Sequence, residues 1–212
     1  MKLLFFAVLL LPVSASALGP MRGGVQLGPS TSLPGYDTGS TVQDQNETSF
    51  WGGVHAEIAL KEPFYIQPEL LYAPYEISLY CPSGCAAINP AKYELSYLEL
   101  PVLLKAKFGK GNFKPYVFAG PNIGFLLDSS ITTQINIFGY SAGIKIDLKD
   151  ATESIKLAGD IGWGVEWAFH KSVSFVADMR YSLGLTEIYK GSSGNKLNGF
   201  KGLFGIAFDL KN

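Results

Sequence analysis

The chain has 212 residues, 47% of them hydrophobic and only 17% charged, with 24 Gly, 12 Pro, 2 Cys and a formal net charge of -1. Soluble domains average about 25% charged residues, so this is a charge-poor, turn-rich chain whose length suits one domain. Its charge balance argues against a nucleic-acid binder, which needs a basic stripe to displace counterions, and its bulky residues exclude disorder.

Met1-Lys2 precedes an apolar run from Leu3 to Val13, followed by Ser14-Ala15-Ser16-Ala17. A positive start, a short apolar core and a small-x-small end predict a secretory signal peptide over 1–17. The run is too short to cross a bilayer as a helix. The remaining domain, 18–212, is therefore expected to work outside the cytoplasm.

Beyond the leader, period-two alternation dominates. It marks Met21–Gly28, Phe50–Leu60, Phe64–Leu79, Tyr93–Phe108 and Phe113–Leu127, and is clearest in three last segments, Leu157–Phe169, Val173–Gly184 and Phe200–Leu210. Alternation of this kind sorts side chains onto the two faces of a strand. Tight turns after Leu60, Phe108 and Phe169 alternate with long polar stretches at about 29–49, 80–92, 128–156 and 186–198. Short turns at one end and long loops at the other, with long strands and an even strand count, characterise outer-membrane barrels. The expected fold is all-β: an eight-stranded antiparallel up-and-down transmembrane β-barrel in the bacterial outer membrane, closed because hydrocarbon cannot satisfy a free sheet edge.

One parity is uniformly apolar, with Trp163, Trp167, Phe169, Tyr181 and Phe208 near its ends, as a lipid-facing band with aromatic girdles requires. The other holds nearly all charges placed within strands. Arg22, Glu57, Glu69, Glu99, Lys105, Asp160, Glu166, Asp178 and Arg180 are therefore predicted to form an ion network filling the lumen. Eight strands leave just enough room for side chains, and arginine forks pair carboxylates.

Gln67-Pro68-Glu69-Leu70-Leu71-Tyr72, Tyr97-Leu98-Glu99-Leu100-Pro101-Val102-Leu103-Leu104-Lys105 and Lys114-Pro115-Tyr116-Val117-Phe118-Ala119-Gly120-Pro121 resemble the PorT-like outer-membrane β-barrel domain family. Gly162-Trp163-Gly164-Val165-Glu166 and the stretch from Asp178 to Thr186 continue the likeness, which covers about 21–210. The resemblance implies a small barrel of the OmpA/OmpX type without established catalysis, some members being linked to secretion across the envelope. Pro68, Pro101, Pro115 and Pro121 fall inside strands, where bulges or edge-like irregularity are expected. The chain ends in Lys211-Asn212, whereas such barrels often end on an aromatic residue.

Cys81 and Cys85 lie in a predicted external loop. In an oxidising compartment the pair reads most simply as a loop-closing disulfide, with free thiols or a metal site as the alternatives. His55, on the inner parity beside Glu57, is a candidate base, but no motif places a nucleophile beside it, so a hydrogen-bonded core histidine is expected. His170 falls in a tight turn. The inner acids read as a satisfied ion network before they read as an acid–base pair. Asn46-Glu47-Thr48 fits a glycosylation pattern by chance. Ile131–Leu148 resembles a hairpin that extends one long loop and offers an edge to a partner; a ten-stranded barrel is the alternative.

No cofactor or metal is expected. The partners are outer-membrane lipid and an envelope or extracellular protein met through the loops, with no nucleic acid and a monomeric barrel. The role reads as structural or adhesive and non-enzymatic. The alternatives are a secretion accessory, a membrane lipid or peptide hydrolase or acyltransferase, and passive transport.

Overall fold

The computed structural model of the protein describes residues 20–34, 43–80, 91–137, 140–190 and 196–210. The predicted leader 1–17, Cys81 and Cys85 lie outside the described residues. Ten strands account for almost everything else: β1 (Met21–Pro34), β2 (Gln43–Asn46), β3 (Thr48–Lys61), β4 (Phe64–Tyr80), β5 (Ala91–Lys107), β6 (Phe113–Ile137), β7 (Tyr140–Asp147), β8 (Ile155–His170), β9 (Val173–Gly184) and β10 (Leu197–Leu210). A 3-10 turn, Lys149–Ala151, precedes β8.

Eight of the ten strands close a ring. In spatial order they are β1, β3, β4, β5, β6, β8, β9 and β10, each antiparallel to its neighbours, and β10 returns to β1 with a register running from Met21↔Leu210 to Pro34↔Leu197. β2 and β7 stand outside the ring. β4 pairs β3 up to Tyr72 and β2 only from Ile77 onward. β6 pairs β8 up to Phe125 and β7 from Ser130 onward. The upper parts of β4, β5 and β6 thus rise past the ring and carry β2 and β7 on their flanks, so the hairpin near 131–148 lengthens the wall and adds no strand to the barrel.

Several strands run past the ends expected from sequence. β6 reaches Ile137, 25 residues in all, and β8 begins at Ile155 inside the stretch expected to be loop. A tilted strand needs only about 9–11 residues to cross a membrane, so the surplus is extramembrane wall. The turn Glu62-Pro63, residues 108–112 and the turn Lys171-Ser172 lie at one end with Met21 and Leu210.

Side-chain alternation follows the pleat. Along β9, Ser174, Val176, Asp178, Arg180 and Ser182 are buried, while Phe175, Met179 and Leu183 face out. The outer face is apolar all round: Ile161 is 60% exposed, Trp163 59%, Leu27 63% and Phe204 52%. Monomeric water-soluble proteins rarely leave contiguous apolar surface beyond a few hundred Å², so this belt needs hydrocarbon around it.

The in-strand prolines do not create bulges. Ladder pairs are missing at Pro68 between β3 and β4, at Pro101 between β4 and β5, and at Pro121 between β5 and β6, yet the register is the same on both sides of each gap. Each Pro lacks the N–H that the ladder wanted. Pro68 opposes Val102 and Pro101 opposes Asn122, so the three gaps form one diagonal line across neighbouring strands. Beside the last of them, a Cβ on Gly120 would sit 2.0 Å from the Val102 carbonyl oxygen; only glycine fits that approach.

Candidate functional site

The lumen is the chemically distinctive part of the molecule. Among the described residues it holds six cations (Arg22, Lys105, Lys107, Lys156, Arg180, Lys201) and six carboxylates (Glu57, Glu69, Glu99, Asp160, Glu166, Asp178). All are buried except Arg22, which is partly covered. Equal numbers matter, because an uncompensated charge in such a site costs several kcal/mol.

The pairs fall into three tiers. Nearest the short turns, Arg22 donates from Nη1 to Glu166 at 2.5 Å, from Nε to Asp209 at 2.7 Å and from Nη2 to Ser174 Oγ at 2.7 Å. Lys107 bridges Glu57 and Glu166 at 2.5 Å each, and Lys105 reaches Glu57 at 3.1 Å with its ammonium 4.0 Å from the Tyr116 ring centroid. In the middle tier Arg180 forks onto Glu69, Nη1 to Oε2 at 2.8 Å and Nη2 to Oε1 at 3.3 Å, and also holds Asp178 at 3.2 Å. Gln67 donates to the same Glu69 at 2.6 Å.

The third tier centres on Glu99. It accepts from Lys156, from Lys201 at 3.1 Å, from Asn122 at 2.8 Å and from the Tyr75 hydroxyl at 2.7 Å. Asp160 accepts from Asn122 and Ser182 and lies 3.9 Å from both Arg180 and Lys201, which links this tier to the one below. The Lys201 ammonium also stands 3.6 Å from the centroid of the Trp51 ring, and cation–π attraction adds to the pairing.

Above the ions the lumen turns apolar. Trp51, Tyr75 and Tyr97 meet edge to face, with centroids 5.0 and 6.0 Å apart, and Leu71, Leu95 and Leu203 pack with them. Ile188, from the connection between β9 and β10, is buried in the same cluster. Its backbone is tied to the segment before β8: Glu153 N–H donates to Ile188 O at 2.7 Å, and Lys190 N–H donates to Ala151 O at 3.0 Å. These bonds join two connections at the mouth away from the short turns.

The structure places all nine residues of the predicted network on the inner face and brings each into an ion pair. Lys107, Lys156 and Lys201 join the network from outside that set, as do the polar neighbours Asn122, Gln67 and Tyr75. His55 is buried opposite Gly24 and Glu69. No hydrogen bond reaches its Nδ1, which departs from the hydrogen-bonded core histidine expected. His170 ends β8 and is exposed. Among the described residues no group of three or more His, Cys, Asp or Glu could hold a metal ion.

No curated protein matches the chain in sequence. Solved structures share its fold at low identity. Neisserial surface protein A is 10% identical over 91% of this chain and 99% of its own, with a TM-score of 0.53. The outer membrane protein OprG from Pseudomonas aeruginosa is 12% identical over 91% of this chain and 97% of its own, with a TM-score of 0.51. Identities this low speak for the fold alone. A family model described as an outer membrane protein beta-barrel domain matches residues 16–190, and the chain, with its closed ring and apolar belt, belongs to that family and resides in the outer membrane.

Proposed function

We propose that the protein is a non-enzymatic outer-membrane barrel with a sealed lumen, acting as a structural or interaction element through the surface opposite its short turns. The observation that carries this reading is the compensated interior: six cations against six carboxylates, roofed by the apolar cluster that includes Ile188. Buried ions so thoroughly paired are held in place by one another, which disfavours a conducting path. Nor does catalysis find its parts, since among the described residues no hydroxyl or thiol is hydrogen-bonded to His55. Planar-bilayer recording tests the reading. Inserted protein is expected to leave the baseline unchanged; steady ohmic steps would reject a sealed lumen.

A PorT-like role in envelope secretion is a second reading. The motifs behind that resemblance supply Glu69, Glu99, Lys105 and Arg180 to the lumen and Pro68, Pro101 and Pro121 to the ladder gaps, so they support a barrel more than a partner surface. What favours a partner is β7, paired on one side by β6 and exposed from Gly143 to Asp147. Deleting 131–147 should abolish secretion while the barrel persists; normal secretion in that variant would dismiss the role.

A further inference from the structure

Six buried side-chain polar atoms on β1, β3 and β4 have no hydrogen-bond partner: Gln26 Nε2, Ser32 Oγ, Ser49 Oγ, Trp51 Nε1, His55 Nδ1 and Gln67 Oε1. Among the described residues, β5, β8, β9 and β10 hold no such atom. Buried polar groups in folded proteins are paired with protein or with ordered water, so a concentration of orphans on one wall needs a cause. The ions nearby are matched to one another, six cations against six carboxylates, and do not reach these atoms.

Four of the six form a continuous line. Gln26 opposes Gly53 on β3 and Gly205 on β10, and its inner-face neighbours along β1 are Gly24 and Gly28. None of its nearest inner positions therefore offers a hydrogen-bonding side chain, and that stretch of wall carries little side-chain bulk. Trp51 and His55 lie two residues either side of Gly53, so both are diagonal neighbours of Gln26, within reach of long side chains. The His55 imidazole lies across Gly24, where a Cβ would sit 2.5 Å from its Cε1. His55 opposes Glu69 on β4, and Gln67 is the next inner residue toward the short turns. Gln67 donates its amide N–H to Glu69 at 2.6 Å and keeps its oxygen unpartnered. One inner position further on, Tyr65 lines a hollow of about 430 Å³ at the short-turn end.

We propose that a file of ordered water runs along this wall, from the short-turn hollow past Gln67, His55 and Gln26 to the Trp51 indole. The orphans set the chemistry of what they bind. It accepts from Gln26 and Trp51 and donates to Gln67, so it is both donor and acceptor. It is neutral, because the lumen charges already balance and an added ion would stand uncompensated. It is small enough to fit between packed side chains. Water meets all three conditions, and buried water typically bridges groups of this kind. Ordering one water also costs less than leaving a buried donor unmade. The interior is then wet along one wall without opening a path for ions, which goes beyond the sealed lumen proposed above.

The test uses the nitrogen-15-labelled full chain folded in phosphatidylcholine nanodiscs and read by NMR, with the Trp51 indole assigned from a Trp51→Phe spectrum. Cross-peaks at the water frequency are expected for the Trp51 indole and Gln26 amide protons. On transfer to D2O, Gln26→Leu and Gln67→Leu should each slow exchange of the Trp51 indole hydrogen about tenfold or more. Thr133→Val, which alters a buried hydroxyl on β6 above the ring, should leave that rate unchanged. Heat-dependent migration verifies that every variant is folded. An indole hydrogen without a water cross-peak, surviving in D2O as long as the most protected backbone amides, overturns the proposal. So does an undiminished rate in both leucine variants, or a rate slowed equally by Thr133→Val. A shift of the Gln26 amide when chloride is replaced by sulfate at equal ionic strength would also overturn it, marking an anion in place of water. Ohmic steps in the bilayer recording would reject the seal alone, since the file is judged by the two leucine variants.

Discussion

The Glu99 carboxylate accepts from two ammonium groups, an amide and a phenol at a position with no solvent exposure. Removing its charge leaves Lys156 without its carboxylate and Lys201 with Asp160 alone at 3.9 Å. Breaking a buried pair by deleting one partner costs about 3–5 kcal/mol, because the other charge stays buried. Glu99→Gln should lose that much stability in urea unfolding from lipid vesicles. Glu76→Gln, which breaks the partly exposed pair with Lys92, should change it by less than about 1 kcal/mol. At this scale the sequence was legible wherever alternation was regular, as at Glu69, Glu99, Asp178 and Arg180. Lys201 escaped because its parity neighbours Leu203, Gly205 and Ala207 are not charged, so that face did not read as ionic. Lys107 sits where β5 runs into a turn and parity loses its meaning.

Among elements, strand identity was readable and strand length was not. Pleat alternation marks a strand only while its two faces meet different surroundings. Past the ring both faces of β7 are exposed from Gly143 to Asp147, and the contrast disappears. Lys156 has a different cause: the two faces there do differ, but β8 begins at Ile155, so Lys156 falls in the first residues of a strand that adjoins a polar stretch and has no alternation before it. The insertion of Ile188 into the lumen had no periodic signal at all, since it depends on backbone hydrogen bonds between two connections. Because the ring closes without β7, the variant lacking 131–147 should keep heat-dependent migration and an unfolding midpoint close to the parent. A collapse to the unfolded form would mean that the extension is part of the barrel's own stability.

As a whole the molecule is organised by two surroundings. Hydrocarbon meets the apolar belt, and a network of ions takes the place that a hydrophobic core has in a soluble domain. The proline gaps are compatible with this arrangement because register is kept across each of them and the ring stays closed. Three tryptophans sample both surroundings: Trp51 is 2% exposed in the lumen, while Trp163 and Trp167 are 59% and 54% exposed on the belt. Fluorescence quenching by brominated lipid in single-tryptophan variants is the most direct measurement of the arrangement. Strong quenching is predicted for proteins retaining only Trp163 or only Trp167, and almost none for the protein retaining only Trp51. Strong quenching of Trp51, or protection of Trp163, would contradict the assignment of the two faces.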